Sequence, residues 1–174
     1  MKGLSSEYQG EIDGPGERII GSDDATELKI AIVAARYNYF ITGKLVNGAC
    51  EQLLKQGVAD NNITVCWVPG SFEIPVVVSE MAKSRNWDSI ICLGAVIKGD
   101  TAHFDYVSGE VSRRIGQISV ETGIPVVFGV LTTFNIEQAV ERSGGREGNK
   151  GEEAAIVAIE TANLLRSIKT KTTL

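Results

Sequence analysis

The sequence predicts a three-layer α/β/α sandwich on a four-stranded parallel sheet. Four short apolar runs, LKIAIVAA (28–35), ITVCWV (63–68), SIICLGAVI (89–97) and PVVFGVL (125–131), are rich in β-branched residues and read as strands. Segments with apolar residues at helical spacing separate them. Strands without a polar face suit a parallel sheet covered on both sides, and right-handed crossovers then supply the two outer layers.

Residues 1–27, rich in Gly and charge, read as an extended arm with one short strand near Ile19 and Ile20. After the first strand, a helix over 41–57 aligns Ile41, Leu45, Ala49 and Leu53 and stops at Gly57. The helix IPVVVSEMAKSR (74–85) carries Pro75 in its first turn, where a missing N–H costs nothing. The helix over 105–123 places Val107, Val111, Ile115 and Ile118 on one face. A short helix over 135–142 and a break at SGGREGN precede the last helix, 150–168, with Ala154, Ala158, Thr161, Leu165 and Ile168 as its stripe. Residues 169–174 read as a frayed tail. There is no internal repeat, and 28–168 reads as a single domain large enough for one core.

The composition, 43% hydrophobic and 22% charged, is that of an ordinary globular protein. A net charge of −5 argues against nucleic acid as the ligand, yet leaves room for a local pocket that holds one phosphate. No run approaches the roughly 20 apolar residues of a membrane helix. The opening MKGLSSEYQGEIDGPGERIIG has no apolar signal core, so a cytoplasmic location is expected. Cys50, Cys66 and Cys92 lie in apolar segments and read as buried free thiols. With no CxxC pair and a single histidine, no metal site is expected.

In such a sheet, ligands bind at the carboxyl ends of the strands. That selects the loops RYNYF, PGSFE, KGDTAHFD and TTFN. The single histidine, His103, falls in the third. Imidazole exchanges protons near neutral pH, and this location favours proton transfer over a structural role. A Cys-His nucleophile pair would require a thiol to reach it. In the same loop, backbone N–H groups ahead of a helix attract an anion. The plain alternative is a turn capped by Asp100 or Thr101. An inward Asp100 would repel an anion, so it is expected to point away.

In VPGSFEIP (68–75), Ser71, Phe72 and Glu73 suit a polyol or an NH-rich ring, with helix capping by Ser71 or Glu73 as the alternative. Tyr37 and Tyr39 offer aromatic faces to a planar ligand, or pack in the core. No Gly-rich or Ser/Thr-rich phosphate loop follows the first strand, which speaks against an FMN or dinucleotide site. GGREGNKG (144–151) fails as a P-loop because Gly151 follows Lys150 and no strand precedes it. Arg142 and Lys150 flank this turn and either reach a phosphate or stay solvated.

Taken together, VPGSFEIP, GAVIKGDTAHFDYV, FGVLTT and RSGGREGNKG resemble the 6,7-dimethyl-8-ribityllumazine synthase family over residues 28–168. The resemblance implies a flavodoxin-like fold and a transferase of riboflavin biosynthesis that uses no metal or redox cofactor. Its substrates would be 5-amino-6-(D-ribitylamino)uracil and 3,4-dihydroxy-2-butanone 4-phosphate, with phosphate and water released. The implied steps are imine formation, loss of phosphate, ring closure and dehydration.

By the same resemblance, Ser71, Phe72 and Glu73 would bind the ribityl chain, and Ala95, Val96 and Ile97 the pyrimidine. Asp100 and Thr101, mainly through backbone N–H groups, would hold the phosphate with Arg142, near Lys150. His103 would transfer protons, and Phe128 would stack from a neighbouring subunit. Asn38 matches the family loop. Tyr37 stands where relatives carry Phe or Trp, and Ala102 where many carry a hydroxyl residue. The resemblance further implies a homo-oligomer, either a pentamer or a sixty-subunit icosahedral shell, with active sites between adjacent subunits. SGGREGN carries no insertion relative to shell-forming relatives, which favours the shell, and riboflavin synthase is a candidate enclosed partner. The competing reading is a non-catalytic flavin carrier or scaffold of the same fold. A receiver-like signalling domain is disfavoured, because Asp23 and Asp24 precede the first strand instead of following it.

Overall fold

The structure, a computed structural model, describes residues 19–172. The four apolar runs form β1 (Ile30–Ala35), β2 (Ile63–Val68), β3 (Ser89–Ile97) and β4 (Val126–Thr133). They make one parallel sheet in the order β2-β1-β3-β4, with Ile30 in register with both Ile63 and Ser89, and Ile90 with Val126. Helices α1 (Tyr39–Lys55), α2 (Ile74–Ser84), α3 (His103–Thr122), α4 (Ile136–Glu141) and α5 (Lys150–Thr172) surround it. This is the expected flavodoxin-like three-layer sandwich.

The side-chain period of two divides the core. Ile30, Ile32, Ile91 and Leu93 pack against Leu45, Leu53, Ala158 and Ile159 of α1 and α5. Ala31, Val33, Ile90 and Cys92 face Val78 of α2 and Val111 and Ile115 of α3. β1 is buried throughout and β3 over all but its last two residues, whereas β2 and β4 are partly exposed because each is an edge strand with one neighbour. The expectation of four strands apolar on both faces therefore holds only for the central pair.

Several boundaries differ from the expected ones. α3 begins at His103, two residues earlier than its apolar pattern indicates. α5 continues past Ile168 to Thr172, with Lys169 and Lys171 in its last turn, where cations complement the helix dipole. The buried stripe of α5 is Ala154, Ala155, Ala158, Ile159 and Ala162, whereas Thr161 and Leu165 are half-buried and Ile168 is exposed. Small residues are needed there because α1 and α5 pack closely: a Cβ on Gly151 would overlap the Leu45 carbonyl. The break over 143–149 holds a tight hairpin, β5 (Ser143–Gly145) and β6 (Gly148–Asn149), whose Gly144 and Gly148 adopt φ of 113° and 75°.

Of the expected arm, residues 1–18 lie outside the described residues. Ile19 and Ile20 form no strand. The chain then runs over α5, where the Asn163 amide donates to the carbonyls of Ser22 (2.8 Å) and Asp24 (2.7 Å). Only Cys92 of the three free thiols is fully buried; Cys50 and Cys66 are half-buried because they sit on α1 and on an edge strand. No helix among the described residues is long and apolar enough to cross a membrane.

Candidate functional site at the carboxyl edge of the sheet

Backbone hydrogen bonds draw the loops after β1 and β2 together. The Arg36 N–H donates to the Val68 carbonyl (2.8 Å) and the Tyr37 N–H to the Pro69 carbonyl (3.0 Å). Asn38 adopts the left-handed conformation (φ 59°), which asparagine tolerates better than most residues, and its side-chain amide donates to the Ala95 carbonyl of β3 (2.9 Å). Three strand ends are thereby fixed around a cleft of about 710 Å³. Tyr37, Asn38, Ser71, Phe72, Glu73, Ala95, Val96, Ile97, Thr101 and His103 all line it.

Tyr37 is 72% exposed and Phe72 is 56% exposed, so both present free aromatic faces at the cleft. Tyr39 instead packs on Trp67, ring centroids 5.4 Å apart. Ser71 is buried and Glu73 half-buried; Glu73 occupies the N-cap position of α2 but makes no side-chain cap hydrogen bond. A Cβ on Gly94 would lie 2.6 Å from the Ser71 hydroxyl and 3.2 Å from Val130, so glycine is what lets Ser71 lie against β3. Gly94→Ala should therefore cost about 1–3 kcal/mol of stability by overpacking. Chemical denaturation measures it, and an unchanged midpoint would contradict this close contact.

His103 is the exposed first residue of α3, not a loop residue. Ala102 occupies the capping position and no side chain caps the helix, so neither Asp100 nor Thr101 plays the capping role. With no side-chain cap, the N-terminus of α3 lies beside the imidazole; the Asp105 and Tyr106 N–H groups donate to the Ala102 carbonyl (3.1 and 3.4 Å), which leaves an anion only the N–H groups ahead of them. Asp100 is exposed and lines no part of the cleft. The cleft also takes in Tyr106 and Ile136, neither of which was a sequence candidate. Because the structure starts α3 at His103, Tyr106 stands at i+3 from it and shares its helix face, a relation that a helix placed from residue 105 hides.

Phe128, Arg142 and Lys150 are not at this cleft. They line a second one, of about 540 Å³, along the free edge of β4. Phe128 is 43% exposed there. The Arg142 guanidinium donates to the Gln138 carbonyl (3.1 Å), and the Lys150 ammonium bonds both Glu153 carboxylate oxygens at 2.7 Å. The Lys150 N–H donates to the Arg142 carbonyl (2.9 Å), so the two cations are tied through the backbone. The two clefts have no lining residue in common.

The thiols do not fit the nucleophile alternative. None lines either cleft. Burial pushes the Cys92 thiol far above its ordinary range; burial, then the Asp60 and Glu51 carboxylates, raise that of Cys50. A nucleophilic thiol needs the opposite shift. Cys92 should resist iodoacetamide in the native protein at neutral pH, followed by mass spectrometry. Labelling of Cys92 as fast as that of Cys66 would contradict its burial. No cluster of three or more metal-ligating side chains occurs among the described residues.

The fold and this edge define a flavodoxin-like α/β protein with a ligand-sized cleft at the carboxyl ends of its strands. The family model described as 6,7-dimethyl-8-ribityllumazine synthase matches residues 27–166. The chain belongs to that family, whose members are transferase-type enzymes of riboflavin biosynthesis.

Proposed function

We propose that this chain condenses 5-amino-6-(D-ribitylamino)uracil with 3,4-dihydroxy-2-butanone 4-phosphate to 6,7-dimethyl-8-ribityllumazine, releasing phosphate and water. The observation that carries this reading is the division of the chemistry between two clefts. One offers an apolar shelf (Ala95, Val96, Ile97), a hydroxyl and a carboxylate (Ser71, Glu73), and an imidazole (His103). The other offers an exposed ring (Phe128) and two cations (Arg142, Lys150).

A pyrimidine lies on the first shelf, stacked by Tyr37, with its ribityl hydroxyls at Ser71, Phe72 and Glu73. The phosphate binds between the N–H groups of the Asp100–Thr101 turn and Arg142, near Lys150. A second copy supplies the Phe128 face, so each complete site lies between neighbours. Contact between two unlike patches is a head-to-tail interface, and such an interface forms a ring when its rotation closes. We take the ring to be a pentamer, assembled further into a sixty-subunit shell, with residues 28–168 as the catalytic domain. Sedimentation showing only a species of about five subunits would reject the shell.

The amine of the pyrimidine attacks the ketone to form an imine, phosphate leaves, and the ring closes with loss of water. His103 moves protons between these intermediates, and fixing two reactants in one site supplies much of the rate. Purified protein mixed with both substrates should form the fluorescent lumazine as phosphate appears. Riboflavin binding without product formation would favour the carrier reading.

A further inference from the structure

A buried amide adjoins Lys150, one of the two cations of the β4-edge cleft. Asn149 is 8% exposed and lies between the N-terminus of α5 and the middle of α1. Its Nδ2 donates to the Lys44 carbonyl of α1 (3.0 Å), and its Oδ1 accepts from the Gly151 N–H of α5 (2.8 Å). Its backbone pairs with Ser143 across the hairpin, and the next residue, Lys150, donates its N–H to the Arg142 carbonyl. One side chain thus fixes where α5 begins and where the hairpin strand after Arg142 runs. Gly48 makes room for it, because a Cβ there would overlap the Asn149 amide.

Glu153 and the Gln138 carbonyl orient the tips of Lys150 and Arg142, and the Arg142 N–H donates to the Ala139 carbonyl of α4 (3.3 Å), but the backbone of Lys150 and its bond to the Arg142 carbonyl lie directly beside Asn149. An amide supplies the donor and the acceptor on two separate atoms, as the two partners require here. Aspartate keeps the acceptor but sets a carboxylate against the Lys44 carbonyl. Serine can keep the bond to Gly151, as helix-capping serines do, but is too short to reach Lys44.

We propose that Asn149 is a positioning residue that sets the spacing of Arg142 and Lys150 for a phosphate group. This rests on the phosphate role assigned to those cations above. The test compares full-length wild type, Asn149→Ser, Gly48→Ala and Arg142→Ala in lumazine formation, with inorganic phosphate as competitor and circular dichroism as the control for folding. Asn149→Ser should raise both the KM for the butanone phosphate and the inhibition constant of phosphate about tenfold, leaving the KM for the pyrimidine within about twofold. Gly48→Ala, which keeps the amide but crowds it, should shift the same constants in the same direction. Unchanged phosphate constants in both variants, with a clear effect of Arg142→Ala, would overturn the inference alone. An equal rise in both Michaelis constants would reduce Asn149 to a structural residue and also overturn it. No effect of Arg142→Ala would remove the phosphate role itself, and this inference with it.

Discussion

His103→Ala should lower kcat for lumazine formation by about two to four orders of magnitude without abolishing it. The imidazole stands on the first turn of α3 and lines the same cleft as Glu73, Thr101 and the shelf of β3. In the proposed reaction, imine formation, ring closure and dehydration each move protons at adjacent atoms, which is the work imidazole does as a general acid and base. The residual rate should come from holding the two reactants together, which does not need the imidazole. Both Michaelis constants should change far less than kcat. A variant with wild-type turnover would remove His103 from the mechanism.

Arg142→Ala should raise the KM for the phosphate substrate by about 10- to 100-fold, the cost of one charge-assisted hydrogen bond. The KM for the pyrimidine should stay within a few-fold. Lys150 cannot fully substitute, because its ammonium is held by Glu153 and an ammonium is a point charge, where guanidinium matches two phosphate oxygens at once. Arg142→Lys should therefore recover only part of the loss. Initial rates with each substrate varied in turn give the answer, and equal effects on both constants would contradict the assignment.

The sheet was legible because an apolar run of four to nine residues bounded by turns has few other readings, and the helix faces of α1 and α3 followed from their spacing. The start of α3 was not legible. Ala102 gives no capping signal, so the helix could be placed only where its apolar face begins, two residues beyond His103. The stripe of α5 was read correctly only at Ala154 and Ala158, because an alanine-rich helix offers several weak faces. The choice among them depends on α1, whose close approach selects Ala155, Ile159 and Ala162. Tyr37 and Tyr39 carry the same ring two positions apart, and only the fold turns one to the cleft and the other to Trp67. The split of the candidates was equally hidden. Phe128 and Arg142 are close in sequence to the other edge loops, but which surface of β4 they face depends on the sheet ending there.

Co-expression of His103→Ala and Arg142→Ala chains tests the central claim most directly. On the proposed shared site, each variant destroys a different half, and a complete site takes one half from each neighbour. Random co-assembly in equal amounts should leave about one quarter of the interfaces with both native halves. Lumazine formation should then recover to about a quarter of the wild-type rate, although each variant alone is severely impaired at limiting phosphate substrate. Co-assembled particles no more active than the mean of the two variants would contradict a site shared between copies.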